Sequence, residues 1–225
     1  METWHAAAAV TAACAAALAW ARARRLTGLR ALRHPTPPPL VAVENRILPM
    51  LKLPGFLAPY RDVPPPLSFA TTGAVGNLIT VYVIDVRGDL TFVSRGMLEA
   101  WGIDVAALHR IATRNLAARS ERLRGLLEPV ADAPAVLEAL DGYDAARLLV
   151  ASAYLTGPPA RYLLAVPDEH VLLVFQRPPS SGIAGIATVV RRRHLAASLP
   201  LSPALFALTE AGPAALDATS EPQAS

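Results

Sequence analysis

Hydrophobic positions recur at helical spacing most clearly between Val105 and Arg119. At 100° per residue, Val105, Leu108, Ile111, Ala112 and Leu116 share one face, while Arg110 and Arg114 lie opposite. Asp104 is placed to cap this helix. A shorter one carrying Met97, Leu98 and Trp101 is expected just before it, capped by Ser94 and ended by Gly102. Upstream, Leu78–Val86 and Asp89–Val93 are β-branched and aromatic runs separated by Arg87-Gly88, which predicts a hairpin. Alternation along the first run is poor. Ile79, Val81 and Val83 fall on one side and Tyr82, Ile84 and Val86 on the other, so the strand is expected to be central and covered on both faces.

Downstream, 120–134 is irregular and broken at Pro129 and Pro134. Ala135–Leu140 reads as a strand running into the Asp141-Gly142 turn, and Asp144 is placed to cap a helix through Ala153. Tyr162–Val166 and Val171–Phe175 flank Pro167-Asp168-Glu169-His170, a second hairpin with a four-residue loop. Ser181 is placed to cap a helix carrying Ile183, Ile186, Val190 and Leu195, and Leu205–Thr209 reads as a short strand. The two hairpin-then-helix units hint at a loose duplication. The expected class is α+β: a mixed or mostly antiparallel sheet, built from two hairpins plus extra strands, with helices packed on one face.

The flanks read differently. Residues 35–66 hold ten prolines, including two triplets, so 34–70 is expected to be an extended spacer that also packs on the domain. Within it, Asn45–Leu53 is able to pair as a short strand, with Pro49 at an edge. Residues 71–209 are expected to form the α+β domain and 210–225 a disordered tail. Residues 1–33 form an Ala-rich segment. From Trp4 to Ala21 there is no formal charge, and the two tryptophans lie about 24 Å apart on a helix. Arginines follow and only Glu2 precedes, which suits an N-out, C-in membrane anchor rather than a cleaved signal peptide. Alanine is also the best helix former, so a helix in water, or a true start further downstream, explains the same run.

Composition narrows the classes. Apolar residues make up 53% of the 225, a share inflated by alanine. Arg supplies every basic residue but Lys52, a pattern of codon bias rather than selected phosphate chemistry. Setting aside Glu2 and the arginines 22, 24, 25, 30 and 33 leaves a roughly neutral remainder, so no nucleic-acid partner is expected. Cys14 is alone, which excludes a disulfide framework and a thiolate metal cluster and fits a reducing, cytoplasmic setting.

Three blocks carry a family likeness: Gly76 to Ser120, with Trp101-Gly102-Ile103; Leu140 to Val150, with Asp141-Gly142-Tyr143-Asp144; and Leu163 to Phe175. In content, order and separation they resemble the YtpQ-like family of uncharacterised bacterial proteins, over about 60% of the chain. The resemblance implies one domain and brings no activity with it. The Ala-rich start and the proline triplets are not features of that family.

Candidate chemistry is sparse. Asn115 falls at the centre of the Val105–Arg119 apolar face. A carboxamide there either fastens the helix to a strand edge or faces a polar pocket. Asp141, Asp144 and Arg147 form a second constellation, explained by turn and cap chemistry or by a small anion or metal site at the helix start. His5, His34, His109, His170 and His194 lack metal-ligand spacing. There is no GxSxG turn, phosphate-binding loop or GxGxxG, so no catalytic residue, metal or cofactor is implied. Arg87-Gly88-Asp89 is a chance adhesion tripeptide. Arg191-Arg192-Arg193 suits a helix C-terminus and, beside an anchored N-terminus, anionic headgroups.

Two functions remain. One is a non-enzymatic interaction or scaffold domain tethered at the inner face of the cytoplasmic membrane through residues 4–21. The other is a small enzyme or ligand-binding protein with Asn115, Asp141, Asp144 and Arg147 around the Asp141–Asp144 turn.

Overall fold

A computed structural model of the chain describes residues 37–130 and 133–216. The Ala-rich segment 1–33, its anchor reading and residues 217–225 lie outside that range. No helix among the described residues is long and apolar enough to cross a membrane.

The fold is α+β, with two antiparallel sheets where the sequence predicts one. In the first, β3 (Ile79–Val86) is central. β1 (Ile47–Lys52) pairs along one edge, and β2 (Thr71–Gly73) and β4 (Asp89–Phe92) share the other. The β3–β4 hairpin turns at Arg87-Gly88, both with positive φ, as a two-residue turn of the primed type demands. The second sheet runs β5-β7-β6-β8-β9: β5 (Ala135–Leu137), β6 (Tyr162–Asp168), β7 (Val171–Gln176), β8 (Leu205–Thr209) and β9 (Gly212–Ala215).

Side-chain parity stacks these sheets. Val81 and Val83 of β3 point into one large cluster with Leu164 and Val166 of β6, Leu172 and Val174 of β7 and Phe206 of β8. Leu148 and Tyr154, from or beside the 3-10 segment Ala145–Ala153, join that middle layer. Tyr82 and Ile84 point the other way, onto Leu98 of α2 (Arg95–Trp101) and Leu108 and Ala112 of α3 (Val105–Ser120), alongside α1 (Leu40–Val43). Leu163, Ala165, Leu173 and Phe175 face Val190 of α4 (Ser180–Leu195). The order is therefore helix, sheet, sheet, helix. A part-buried ion pair, Lys52 to Glu169, ties β1 to the β6–β7 turn across the stack.

The strand expected within the proline-rich 34–70 stretch forms as β1, with all six of its residues buried, while several other expectations need correcting. Pro49 is tolerated for a reason visible in the ladder. Val93 donates to the Tyr82 carbonyl, so the backbone groups of Tyr82 point toward β4. Pro49, opposite Tyr82, therefore directs its nitrogen to the free edge. At the other end the folded part runs past residue 209: β8 turns back into β9 through Gly212, at φ +113°. The second hairpin loop is Glu169-His170 only, because a register shift between Ala165 and Asp168 lets Asp168 pair with Val171. β5 stops at Leu137 rather than Leu140, which sits at φ +56°. Ser181 lies inside α4 and caps nothing; the N-cap position is Pro179.

Candidate functional site

The turn after β5 is built by its own side chains. Asp141 Oδ1 accepts from the Tyr143 N–H at 3.1 Å, and Gly142 takes the positive φ that the turn requires. Asp144 does not cap the helix that follows, which is a 3-10 segment kinked at Val150. Its carboxylate faces backward instead and accepts from the N–H groups of Ala139 and Leu140, both at 3.0 Å. The cause is burial: with no solvent contact, Asp144 takes the unpaired donors of the preceding loop.

Arg147, one turn on, is also fully buried. Nη1 and Nη2 hold Asp141 in a fork at 2.9 and 2.6 Å, Nη1 reaches Asp144 at 3.0 Å, and Nε reaches Ser120 Oγ at 3.2 Å. The Tyr154 hydroxyl donates to the Arg147 carbonyl. Outward from this core, Arg119 lies 3.3 Å from Asp141 and 3.2 Å from Asp85, with its guanidinium 4.9 Å from the Tyr143 ring centre. The Tyr143 hydroxyl donates to Asp85. One network thus joins β3, the end of α3 and the 3-10 segment.

Electrostatics follow the geometry. Desolvation pushes the Asp141 carboxyl up, but the hydrogen bonds and charge of Arg147, the Tyr143 N–H and the charge of Arg119 outweigh it and hold Asp141 below the usual carboxylate range. At Asp144 desolvation prevails over the Ala139 N–H and Arg147, and the carboxyl sits above its usual value. Desolvation disfavours the Arg147 cation, yet its two carboxylates raise it further.

Asn115 stands apart from this trio. Its Nδ2 donates to the carbonyls of Glu44 and Ile47, at 2.6 and 2.9 Å, where a short 3-10 turn becomes β1. It fastens α3 to the strand. The residues the sequence reading missed are Asp85, Arg119, Ser120, Tyr143 and Tyr154. Arg119 was findable, since four residues after Asn115 it shares that angular sector and is a charge on an apolar face.

Chemically, the network is closed. Asp144 and Arg147 present no surface to a ligand, and only the Asp141–Arg119 side reaches solvent. Among the described residues, no group of three or more His, Cys, Asp or Glu is placed to hold a metal. An open cleft of about 450 Å³ lies elsewhere, between Ala70, Thr71, Leu98 and Ile103, and no candidate residue lines it. Protein-family models, curated proteins and solved structures give no match to this chain.

Proposed function

We propose that this chain is a non-enzymatic interaction module, held at the inner face of the cytoplasmic membrane by residues 4–21. The carrying observation is the closure of the polar cluster. Asp141, Asp144, Arg147 and Ser120 satisfy one another and the loop backbone, leaving no converging donors or acceptors for a substrate. Asn115 is likewise occupied by two carbonyls. Both facts weigh against the enzyme or ligand-binding reading. The proposed kinship with the YtpQ-like family adds no catalytic group to this picture.

Fractionation of the tagged full chain tests the tether. Recovery in the membrane pellet, resistant to salt and lost on deletion of residues 4–21, is the expected result; full recovery in the supernatant sinks it. The site reading is tested with Asp141→Asn. The proposal expects a fall in melting temperature and no change in any small-molecule binding signal.

A further inference from the structure

Two features meet at one edge of the first sheet. β2 is paired on one side only, with β3. Ala70, just before it, donates its N–H to the Val93 carbonyl at 2.8 Å, and successive residues of a strand direct their backbone groups to opposite sides. The N–H and C=O of Thr71 and Gly73 therefore point away from the sheet, while those of Thr72 point toward Thr80. Such an edge is a template for one more strand.

Beside it lies the open cleft of about 450 Å³. Ala70, Leu98, Ile103 and Val105 give it an apolar lining, and Thr71 brings the strand edge to it. Arg95 and Glu99, one turn apart on α2, also line it and are exposed. Their charges cancel, so the lining neither selects nor repels a charged occupant. Reach and apolar fit decide.

The course of the chain names an occupant within reach. Glu44 is held against the middle of α3 by Arg114 and Asn115. Six residues earlier, the Pro38 carbonyl accepts from Trp101 Nε1 at 2.8 Å. Backward from Glu44, the chain thus runs along α3 toward the α2–α3 junction and leaves the described residues beside Trp101. Leu98, one turn before Trp101, and Gly102 and Ile103, just after it, all line the cleft. Further back, prolines 35 and 37 lack the N–H that an added strand needs. The first large apolar side chain is Leu32, six residues before Pro38, which gives it a reach of up to about 20 Å.

We propose that residues 29–33 of this same chain add to β2 as an edge strand. They pair with the outward groups of Thr71 and Gly73 and set Leu32 in the cleft against Leu98, Ile103 and Val105. The pairing closes an edge that would otherwise recruit another chain. It stands independently of the tether at residues 4–21, with residues 22–28 as the link between the two.

Amide hydrogen exchange on the full chain in non-ionic detergent, resolved by residue with NMR, tests this. In the wild type, Thr71 and Gly73 should exchange at least tenfold more slowly than unpaired amides. Leu32→Asp should speed both about tenfold or more and leave Thr72 unchanged, since Thr72 reports the β2–β3 ladder itself. Val41→Asp, at a side chain already 86% exposed on α1, should change none of the three. Fast exchange of Thr71 and Gly73 in the wild type overturns the proposal. So does protection that survives Leu32→Asp, or that Val41→Asp removes equally. Protection that grows with protein concentration gives the edge to a second copy and overturns it as well. Fractionation separates the tether: protected Thr71 and Gly73 in a chain found wholly in the supernatant overturn the tether alone, and membrane recovery with unprotected Thr71 and Gly73 overturns the added strand alone.

Discussion

α3 and α4 are each sixteen residues long and each lies on the outside of a sheet, yet they are held very differently. In α3 Leu108, Ala112 and Leu116 are fully buried, Asp104 caps the first turn through the Ala107 N–H at 2.6 Å, and Asn115 fastens the middle to β1. In α4 Val190 is the one fully buried apolar side chain among those described, and no side chain caps the N-terminus. Among the described residues, the contrast separates a layer packed by several helices from a layer packed by one. It also locates the stabilising chemistry: the polar network belongs to the α3 side and behaves as a fastener between β3, α3 and the middle layer.

The largest effect should come from breaking that fastener. Arg147→Met leaves the buried carboxylate of Asp144 without its cation, and losing one partner of a buried pair costs about 3–5 kcal/mol. Urea titration should show that loss, or no folded protein at all. Asp141→Asn should cost less, since Asp141 keeps some solvent contact and leaves Arg147 with Asp144. If Arg147→Met retains full stability, the network is not structural, and the case for a functional site reopens.

Next, paired truncations test the helix contrast directly. Leu108→Ala should cost about 2–5 kcal/mol, the range for a leucine removed from a filled core. Leu195→Ala should change stability by no more than about 0.5 kcal/mol, because that side chain already stands in water. Equal costs would erase the distinction between the two layers.

Cap removal is a smaller, sharper version of the same test. Asp104→Ala deletes the acceptor for the Ala107 N–H and should cost about 1 kcal/mol. Ser181→Ala should be neutral, because Ser181 caps nothing. The Ser94 cap and the positive φ at Gly102 belong with Asp104 as features legible in the sequence, because caps and turns are decided within a few residues. The apolar face of α3 and the first hairpin were legible for the same reason.

What was hidden depends on partners far along the chain. An Asp three residues before an Arg at a helix start looks like a cap. Only the burial of both, against Ser120 from α3, turns Asp144 backward onto the 139–140 loop. The strand at β1 and the edge position of Pro49 could be read locally, but the partner strand could not; it is fixed only by the register with β3. Two stacked sheets and one central sheet predict the same both-faces-covered strand, so parity alone could not choose between them. β9, made of small residues, carries no periodic signal at all.

The smallest predicted effect concerns pH and again falls on the α3 side. The buried Tyr82 hydroxyl lies 2.9 Å from His109 Nδ1, joining β3 to the first half of α3. Burial pushes the Tyr82 phenol up, so the tyrosine stays protonated. Burial also pulls the His109 imidazolium below the ordinary histidine value. A histidine depressed in the folded state contributes stability that is complete above its unfolded pKa, about 6.5, and is lost as pH falls through the lower folded value. Melting temperatures taken between pH 7 and pH 5 should therefore fall in the wild type and fall less in His109→Gln, which does not titrate there. Tyr82→Phe should lower stability at pH 7 by removing the hydroxyl that pairs with His109 while keeping the ring. No charge on α4 faces an equivalent buried partner, so Arg191→Gln with Arg192→Gln should leave the pH slope unchanged. A slope that moved with those arginines instead would place the acid-sensitive contact on the α4 layer and reverse the assignment of which side holds the fold together.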